Sequence, residues 1–325
     1  MNQTPDTMRA EAAGLRLSII IVTWNIRDVL ADCLRSLYAE DIGVPHEVIV
    51  VDNGSVDGTW QLVENEYPQI RLLRNAENLG FSKANNQGMK IANGDYVLLL
   101  NSDTVIIDPG VFRKWIDFMD SRPDVAMSGC RLLFPDRTHQ VGDAGFRPAF
   151  GTMLAHNFFL NRLLPRHLKG LFISFREPPG RMEVDWITGA DMLVRRSLLP
   201  EVGMLDESIF FYAEDIEWGS RVRTFGHKVY YLSDLTIVHL QGATTKNYPE
   251  KFSGQDLKNM RRIYARFNPG RSLLVFDVIM ALGFALRSTA YACMWWQDPE
   301  FRNARARRMF KYLRASIANL GTPAA

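Results

Sequence analysis

The 325-residue sequence has few cysteines and lacks the short glycine motifs of the common nucleotide folds. Its three cysteines, Cys33, Cys130 and Cys293, are far apart and form no Cys-x-x-Cys pair. They indicate neither a disulfide framework nor a zinc site, which fits a reducing compartment. Neither GxGxxG nor GxxxxGK[ST] occurs, so the sequence carries no dinucleotide fingerprint and no P-loop.

The chain also has little net charge and no apolar segment at its amino end. A formal charge of +2 argues against a general nucleic-acid-binding protein. The first sixteen residues are polar and lack the apolar core of a signal peptide, so residues 1–16 are predicted to form a loose tail. With 47% apolar and 23% charged residues, the rest has the composition of an ordinary globular protein.

Apolar runs alternate with helical patterns through the first hundred residues. Strands are predicted at 17–23, 47–51 and 70–73, with an amphipathic helix after each of the first two. Val97–Leu100 is a continuous apolar run, typical of a strand buried on both faces. The order predicts an α/β fold with right-handed crossovers, a doubly wound, mostly parallel sheet and helices on both faces.

The buried run 97–100 stops at Asn101-Ser102-Asp103, at the predicted carboxyl end of a central strand. Ligands of open α/β sheets bind beyond these ends, and a carboxylate there can hold a hard divalent cation. Asp is also common in turns and at helix caps. Asp103 alone therefore fits either a metal ligand or a local cap.

Two further polar segments lie at predicted strand ends. Asp52 ends the second strand, where such folds often place an acid that binds a nucleoside, although an Asx-turn explains it as well. Farther on, the helix predicted from Ser82 to Ala92 could present its first amides and Lys83 to a diphosphate. A capped surface helix with a solvated lysine is the alternative.

Four motifs together resemble family 2 glycosyltransferases, and most closely the rhamnosyltransferase-like branch. They are VTWN at 22–25, VVDNGSVDGT at 50–59, NLGFSKANNQG at 78–88 and LLLNSDT at 98–104. The resemblance implies the nucleotide-sugar-binding GT-A fold and a reaction that inverts configuration at the sugar. It places Thr23 and Asp52 at the base and ribose of the nucleotide. The other residues that the motifs assign to nucleotide-sugar binding are Asn25, Asn53, Ser55, Asn78, Gly80, Lys83, Asn101 and Ser102.

The resemblance also implies a divalent cation, Mg²⁺ or Mn²⁺. Asp103 matches the last carboxylate of the family's Asp-x-Asp motif, and His239 matches a histidine that helps to hold the metal and diphosphate. Asn101 stands where the family has the first Asp. One carboxylate fewer weakens such a site, and a neutral imidazole can partly offset the loss.

The remaining matches lie in the second half of the sequence. Trp186, Gly189 and Ala190, followed by Asp191, match the segment near the acceptor and donor sugar. Glu214 and Asp215 match the family's Glu-Asp pair, with Asp215 the first choice for catalytic base and Glu214 the second. Both acids also fall in the first turn of a predicted helix, where the helix dipole alone favours acids. Glu217 and Arg221 are predicted to form an i,i+4 ion pair.

The predicted organisation is a GT-A domain over residues 17–245, with a nucleotide-binding half at 17–104 and an acceptor and catalytic half at 105–245. Residues 134–182 are interpreted as a variable acceptor-side loop. Residues 246–325 form a C-terminal helical region that either lies on an anionic membrane surface, packs on the core, or makes a homodimer contact.

The resemblance suggests dTDP-L-rhamnose as donor, with UDP-sugars as the alternative, and a cell-surface glycan or lipid-linked glycan as acceptor. It places the enzyme in the cytoplasm at the inner face of the cell membrane. A scaffold that binds nucleotide sugars without catalysis is the other class of function. The presence of both acids argues against it.

Overall fold

A computed structural model describes residues 14–174, 180–242, 255–294, 298–320 and 322. Residues 1–13 of the predicted tail therefore lie outside the described part. The chain divides into two units, which we name the sheet unit (residues 1–144 and 176–252) and the helical unit (residues 145–175 and 253–325).

The strands follow the apolar runs of the sequence. They are β1 (Leu17–Thr23), β2 (His46–Asp52), β3 (Arg71–Arg74), β4 (Tyr96–Leu100), β5 (Thr104–Ile106), β6 (Val125–Leu133), β7 (Ala144–Gly145), β8 (Met182–Val184), β9 (Trp186–Ile187), β10 (Asp191–Arg195) and β11 (Lys228–His239).

The helices fill the intervals and the C-terminal part. They are α1 (Arg27–Ala39), α2 (Thr59–Glu66), α3 (Phe81–Ile91), α4 (Val111–Ser121), α5 (Phe150–Asn157), α6 (Leu160–Leu163), α7 (Leu199–Val202), α8 (Glu214–Thr224), α9 (Gln255–Phe267), α10 (Leu273–Cys293) and α11 (Pro299–Ala318), with a 3₁₀ turn at Arg196–Leu198.

A nine-stranded mixed sheet forms the centre of the sheet unit. Its order is β3-β2-β1-β4-β10-β6-β11-β5, with β8 paired to β11. Strands β1, β2, β3 and β4 run parallel, β10 runs antiparallel between β4 and β6, and β11 runs parallel to β6. All five residues of β4 are buried, as expected for a strand covered by helices on both faces. This confirms the predicted α/β fold and its C-terminal helices.

Burial of apolar side chains holds this sheet to its helices. Leu30, Cys33, Leu34 and Leu37 recur at helical spacing along α1, and all four are buried in the core that β1 and β4 share. Full burial of one such aliphatic side chain stabilises the fold by about 1.5–3 kcal/mol relative to exposure. The same periodicity that predicted the helix therefore also fixes which side of it meets the sheet.

Two predictions about the later part of the chain need correction. The sequence pattern predicts two short strands, Lys228–Leu232 and Leu235–Leu240. The structure instead has one strand here, β11, whose pairing with β6 shifts register between Leu232 and Thr236. A bulge absorbs the polar interruption that had indicated a break. Residues 145–175, predicted as part of the acceptor-side half, group with the C-terminal helices. Asn268 donates to the Pro148 carbonyl at 2.7 Å, and Arg287 donates to Asn157 Oδ1 at 2.9 Å.

Candidate active site

The candidate site lies along one edge of the sheet, at the carboxyl ends of the parallel strands. Thr23 and Asp52 are paired neighbours that end β1 and β2, and His239 ends β11. Asn101 follows β4, and because β10 runs in the opposite direction, its first residue, Asp191, lies opposite Leu100 at this same edge. The strand order reverses between β1 and β4, which is where open α/β sheets form their ligand crevice.

Several of the predicted nucleotide-sugar residues tie the surrounding loops together. Asn25 donates its backbone N–H to Ser55 Oγ at 2.9 Å, and its side-chain oxygen accepts from the Val56 N–H at 2.8 Å. Asn53 donates to Asn78 Oδ1 at 3.0 Å. Its oxygen also accepts from the Leu79 N–H at 3.0 Å, so much of the hydrogen-bonding capacity of Asn25 and Asn53 is used within the protein.

Thr23 and Asp52 differ from these loop residues because each buries an oxygen that has no hydrogen-bond partner within the described part of the chain. Thr23 Oγ1 and Asp52 Oδ1 are both unpaired, although the other Asp52 oxygen accepts from the Ser55 N–H at 3.1 Å. Thr23 is 1% and Asp52 2% exposed. Buried polar atoms are rarely left unpaired, so these two are candidates for contacts with a bound nucleoside.

The start of α3 is held by a neighbouring loop. Gly80 has φ +88°, and a Cβ there would lie 2.6 Å from the Phe210 carbonyl oxygen, so the close approach needs glycine. The Gly80 N–H donates to Asn78 Oδ1 at 2.9 Å, and the Phe81 N–H donates to the Phe210 oxygen at 2.8 Å. These two amides are therefore committed within the protein, whereas Lys83 is exposed in the first turn of α3.

Asp103, His239 and Asn101 converge at the same edge. His239 Nε2 lies 3.1 Å from Asp103 Oδ1 and 3.3 Å from Asn101 Nδ2. On the other side of the ring, His239 Nδ1 lies 2.7 Å from Gln140 Oε1, and the Gln140 amide nitrogen donates to the His239 carbonyl at 3.3 Å. Because the Gln140 oxygen can only accept, it favours the tautomer that is protonated on Nδ1, and the Nε2 lone pair then faces Asp103.

A histidine nitrogen and a carboxylate oxygen at this separation fit two ligands of one divalent cation. Two donors about 2.1 Å from an octahedral ion and at right angles lie about 3 Å apart. Ser102 is buried between Asn101 and Asp103. Among the described residues, no group of three or more His, Cys, Asp or Glu side chains is placed to hold a metal. A cation here would therefore need further ligands from a bound substrate as well as from the protein.

The turn 188–190 connects this cluster with the acid pair. The Ala190 carbonyl accepts from the Asn101 N–H at 2.9 Å, and the Gly189 N–H donates to Asp215 Oδ2 at 3.3 Å. A Cβ on Gly189 would lie 3.0 Å from the Phe81 ring, so a side chain here would crowd the start of α3.

Two other residues predicted near the sugar are fully enclosed. Trp186 is 1% exposed, and Asp191 is 0% exposed. The Asp191 carboxylate accepts from the Cys130 N–H at 2.8 Å, and burial raises its pKa well above the usual range. In this structure Asp191 therefore packs against β6 and not against an open crevice.

Glu214 and Asp215 are the first two residues of α8. Ala213 precedes them in a left-handed conformation with φ +71°. Burial raises the pKa of both carboxyl groups, and for Glu214 the neighbouring Asp215 charge raises it further. Asp215 accepts from the Ile216 N–H at 2.8 Å and is partly exposed. Glu214 is buried, and its Oε2 has no hydrogen-bond partner among the residues that the structure describes.

The sequence did not reveal every residue that shapes this edge. Gln140 is an isolated glutamine in a loop rich in Pro and Gly, and Phe210 precedes the acid pair without any periodic signal. Both act through tertiary contacts, with His239 and with Gly80 respectively, that sequence spacing does not encode. The predicted Glu217–Arg221 ion pair is confirmed, with 2.8 Å between Glu217 Oε2 and Arg221 Nη2.

Solved structures share this architecture. A mannosyltransferase from Pyrobaculum calidifontis, in complex with GDP-Man and Mn²⁺, has a TM-score of 0.58 at 16% identity, covering 94% of this chain and 86% of that chain. GalNAc-T7 with UDP, GalNAc and Mn²⁺ has a TM-score of 0.57 at 14% identity, covering 94% of this chain and 57% of that one. The fold is that of a GT-A glycosyltransferase.

The sequence comparisons specify the family. The model of glycosyl transferase family 2 matches residues 18–182, and the chain belongs to that family. It is 30% identical over 247 residues to an N-acetylglucosaminyl-diphospho-decaprenol L-rhamnosyltransferase of Mycobacterium tuberculosis, covering 72% of this chain and 78% of that protein. A relative from Sinorhizobium fredii is 28% identical over 72% of this chain, which spans only 26% of that protein's length. The enzyme is thus a rhamnosyltransferase-like glycosyltransferase.

Proposed function

We propose that this glycosyltransferase moves a sugar from a nucleoside diphosphate donor to an acceptor hydroxyl with inversion at the anomeric carbon. The observation that carries the proposal is the common sheet edge. It holds unpaired oxygens of Thr23 and Asp52, the Asp103–His239 pair, and the acids at the start of α8. A donor nucleoside, its diphosphate and the acceptor hydroxyl each have a chemically suitable partner along that edge.

Asp215 accepts the acceptor's proton in this proposal. Its raised pKa makes it a stronger base than an ordinary carboxylate, and its partial exposure lets a hydroxyl reach it. As the proton moves to Asp215, the acceptor oxygen attacks the anomeric carbon from the face opposite the diphosphate. The bond to the diphosphate oxygen breaks, and its electron pair leaves with the nucleoside diphosphate. Attack from the opposite face produces inversion.

Glu214 is the neutral neighbour of that base. Burial and the Asp215 charge keep its proton in place at neutral pH. With Glu214 protonated, the pair carries a single negative charge, on Asp215. The Gly189 N–H fixes the Asp215 carboxylate through Oδ2.

A divalent cation, Mg²⁺ or Mn²⁺, is proposed as cofactor, with Asp103 Oδ1 and His239 Nε2 as its protein ligands. When bound, such an ion neutralises charge on the departing diphosphate. Lys83, exposed in the first turn of α3, is the protein cation suited to the same phosphates. Asn101 Nδ2 lies 3.3 Å from the same His239 Nε2, and its neutral amide cannot replace a charged carboxylate.

One relative supports the choice of donor and acceptor. The Mycobacterium tuberculosis relative is named as a rhamnosyltransferase that acts on a lipid-linked diphospho sugar. We therefore propose dTDP-L-rhamnose as donor and a lipid-linked or cell-surface glycan as acceptor, in cell wall or polysaccharide biosynthesis at the cytoplasmic face of the membrane. A UDP-linked sugar is the alternative donor.

Nucleotide binding tests this proposal. We expect dTDP to bind more tightly than UDP or GDP in calorimetry. We also expect Mn²⁺ or Mg²⁺ to strengthen the binding, because Asp103 and His239 would hold an ion that neutralises phosphate charge. Incubation with the matching nucleotide sugar and acceptor should release the nucleoside diphosphate, and NMR of the product should show the inverted anomer.

Three outcomes would contradict different parts of the proposal. Binding without any metal effect would remove the cation and leave Lys83 with the phosphates. Release of pyrophosphate would indicate a nucleotidyl transfer instead. Nucleotide binding without turnover of any nucleotide sugar would favour the scaffold and end the enzymatic proposal for this site.

A further inference from the structure

The helical unit has a large excess of positive over negative charge. Its two segments contain sixteen Lys and Arg residues and four Asp and Glu residues, a net charge of +12. The whole chain is only +2, so the sheet unit is −10. The small overall charge thus conceals two units of strongly opposite sign, and only the helical one attracts an anionic surface.

One side of α10 is exposed and apolar. The buried side chains lie on one face: Phe276, Asp277, Ile279, Met280 and Gly283. The opposite arc carries exposed aliphatic side chains: Leu274, Val275, Val278, Leu282 and Leu286. Leu282, at the middle of this arc, is 53% exposed. A stripe of aliphatic residues repeating every three to four positions is typical of a packing face, yet these five side chains are 39–53% exposed.

The two charged residues of α10 are used inside the unit. Asp277 is buried and accepts from Arg261 Nε of α9 at 2.9 Å. Arg287 donates to Asn157 Oδ1 of α5 at 2.9 Å and to the His156 carbonyl at 2.7 Å. Both charged side chains therefore bind other residues of the helical unit, and the exposed arc of α10 carries no charged residue.

Exposed basic residues accompany exposed apolar ones elsewhere in the unit. Around α6, Leu163 is 75% exposed, and Leu160, Leu164 and Leu168 are exposed beside Arg162, Arg166 and Lys169. On α11, Phe310 and Ile317 are exposed together with Arg305, Arg307, Arg308, Lys311 and Arg314. This combination is typical of segments that bind the interface of anionic bilayers.

We propose that the helical unit docks on an anionic phospholipid surface and lies in its plane. The exposed aliphatic face of α10 and the leucines around α6 enter the boundary between headgroups and acyl chains. The neighbouring Arg and Lys side chains contact the lipid phosphates. Charge complementarity favours a lipid surface over a second copy of the protein. In a symmetric dimer formed through this face, two units of charge +12 would repel each other.

Crossing of the bilayer by α10 is the other arrangement that its composition allows. Among the described residues, it is the one helix long and apolar enough to span a membrane, with a mean hydropathy of 1.7. However, α10 packs along α11, whose exposed side carries five basic residues. Insertion of α10 across the hydrocarbon would draw these charges with it, whereas a surface position leaves them at the headgroups.

Vesicle co-sedimentation of the full-length protein tests the docking surface. We expect binding to phosphatidylcholine vesicles that contain about one third phosphatidylglycerol, weak binding to phosphatidylcholine alone, and release by salt. Val278→Glu and Leu282→Glu should lower the partition coefficient about ten-fold or more, because each puts a negative charge into the apolar face. Val141→Glu, at a 51% exposed valine of the sheet unit, is the matched control and should bind as the wild type does.

Two surface variants keep the test independent of packing. Arg307→Glu and Arg314→Glu reverse exposed charges on α11, and each should weaken vesicle binding about five-fold or more without loss of helicity by circular dichroism. Nucleotide binding, measured in parallel, should be unchanged in all five variants. A failure of docking is thereby separated from a failure of the proposed transfer reaction.

Several results would overturn the proposal. The first is equal binding to neutral and anionic vesicles, or binding to neither. The second is a dimer in solution that Leu282→Glu dissociates, which would assign the face to a second copy. The third is protein that resists extraction by alkaline carbonate and high salt, which would indicate a spanning helix.

Discussion

Two acidic clusters at the same edge of the sheet are built differently. The Asp103 carboxylate lies beside the Nε2 of His239, whose tautomer Gln140 fixes from the far side of the ring. Glu214 and Asp215 have each other and a few backbone N–H groups, and burial raises the pKa of both. One cluster is suited to sharing a cation and the other to holding a proton. The different partners, rather than the shared residue type, assign the two roles.

The largest effect should come from removing the proton acceptor. Asp215→Asn should lower kcat about 10³-fold, because an amide cannot take the acceptor's proton. The dissociation constant of the nucleotide should change less than about two-fold, since Asp215 belongs to the other cluster. Steady-state kinetics and calorimetry on the same preparation separate the two quantities.

A matched control removes a carboxylate elsewhere. Asp234→Asn breaks a surface pair with Arg181 and should leave kcat unchanged. If Asp215→Asn turned over normally, Asp215 would not be the base, and Glu214, the second choice, would have to be tested in its place.

The next effect concerns the cation cluster. Gln140→Leu removes the acceptor for His239 Nδ1 while keeping a side chain of similar size. We expect the affinity for Mn²⁺ in the presence of nucleotide to fall about ten-fold or more, the usual effect of losing a residue that orients a metal ligand. Titration calorimetry measures the affinity, and ¹⁵N shifts of the His239 ring report the tautomer directly.

Rescue separates positioning from packing in this case. Gln140→Glu restores an acceptor and should recover most of the Mn²⁺ affinity, whereas Gln61→Leu, on an exposed face of α2, should have no effect. Equal Mn²⁺ affinity in the Gln140→Leu variant and the wild type would refute the positioning role.

The same contrast explains what the sequence could predict. Strand ends at Thr23, Asp52 and Asn101 follow from apolar runs that stop at polar residues, because burial fixes where a strand can lie. The contact between Gln140 and His239 crosses 99 positions and depends on how β11 pairs with β6, which local patterns do not encode. The grouping of residues 145–175 with the C-terminal helices could not be predicted for the same reason. Its deciding bonds, such as Arg287 with Asn157, join segments 130 residues apart.

The smallest expected effect distinguishes the clusters by their dependence on pH. Burial raises the pKa of Glu214 in the folded protein, so the folded state holds its proton more tightly than the unfolded chain. From the ordinary carboxyl range, about 4.3, up to that raised pKa, the unfolded state binds fewer protons, and the free energy of unfolding therefore falls as pH rises. Glu214→Gln removes this contribution. The variant should be about 1–3 kcal/mol more stable than the wild type in urea at pH 7.5 and about equal to it at pH 4. Parallel stability curves for the two proteins across that range would mean that Glu214 is already ionised in the fold, and the proton would then belong to Asp215 alone.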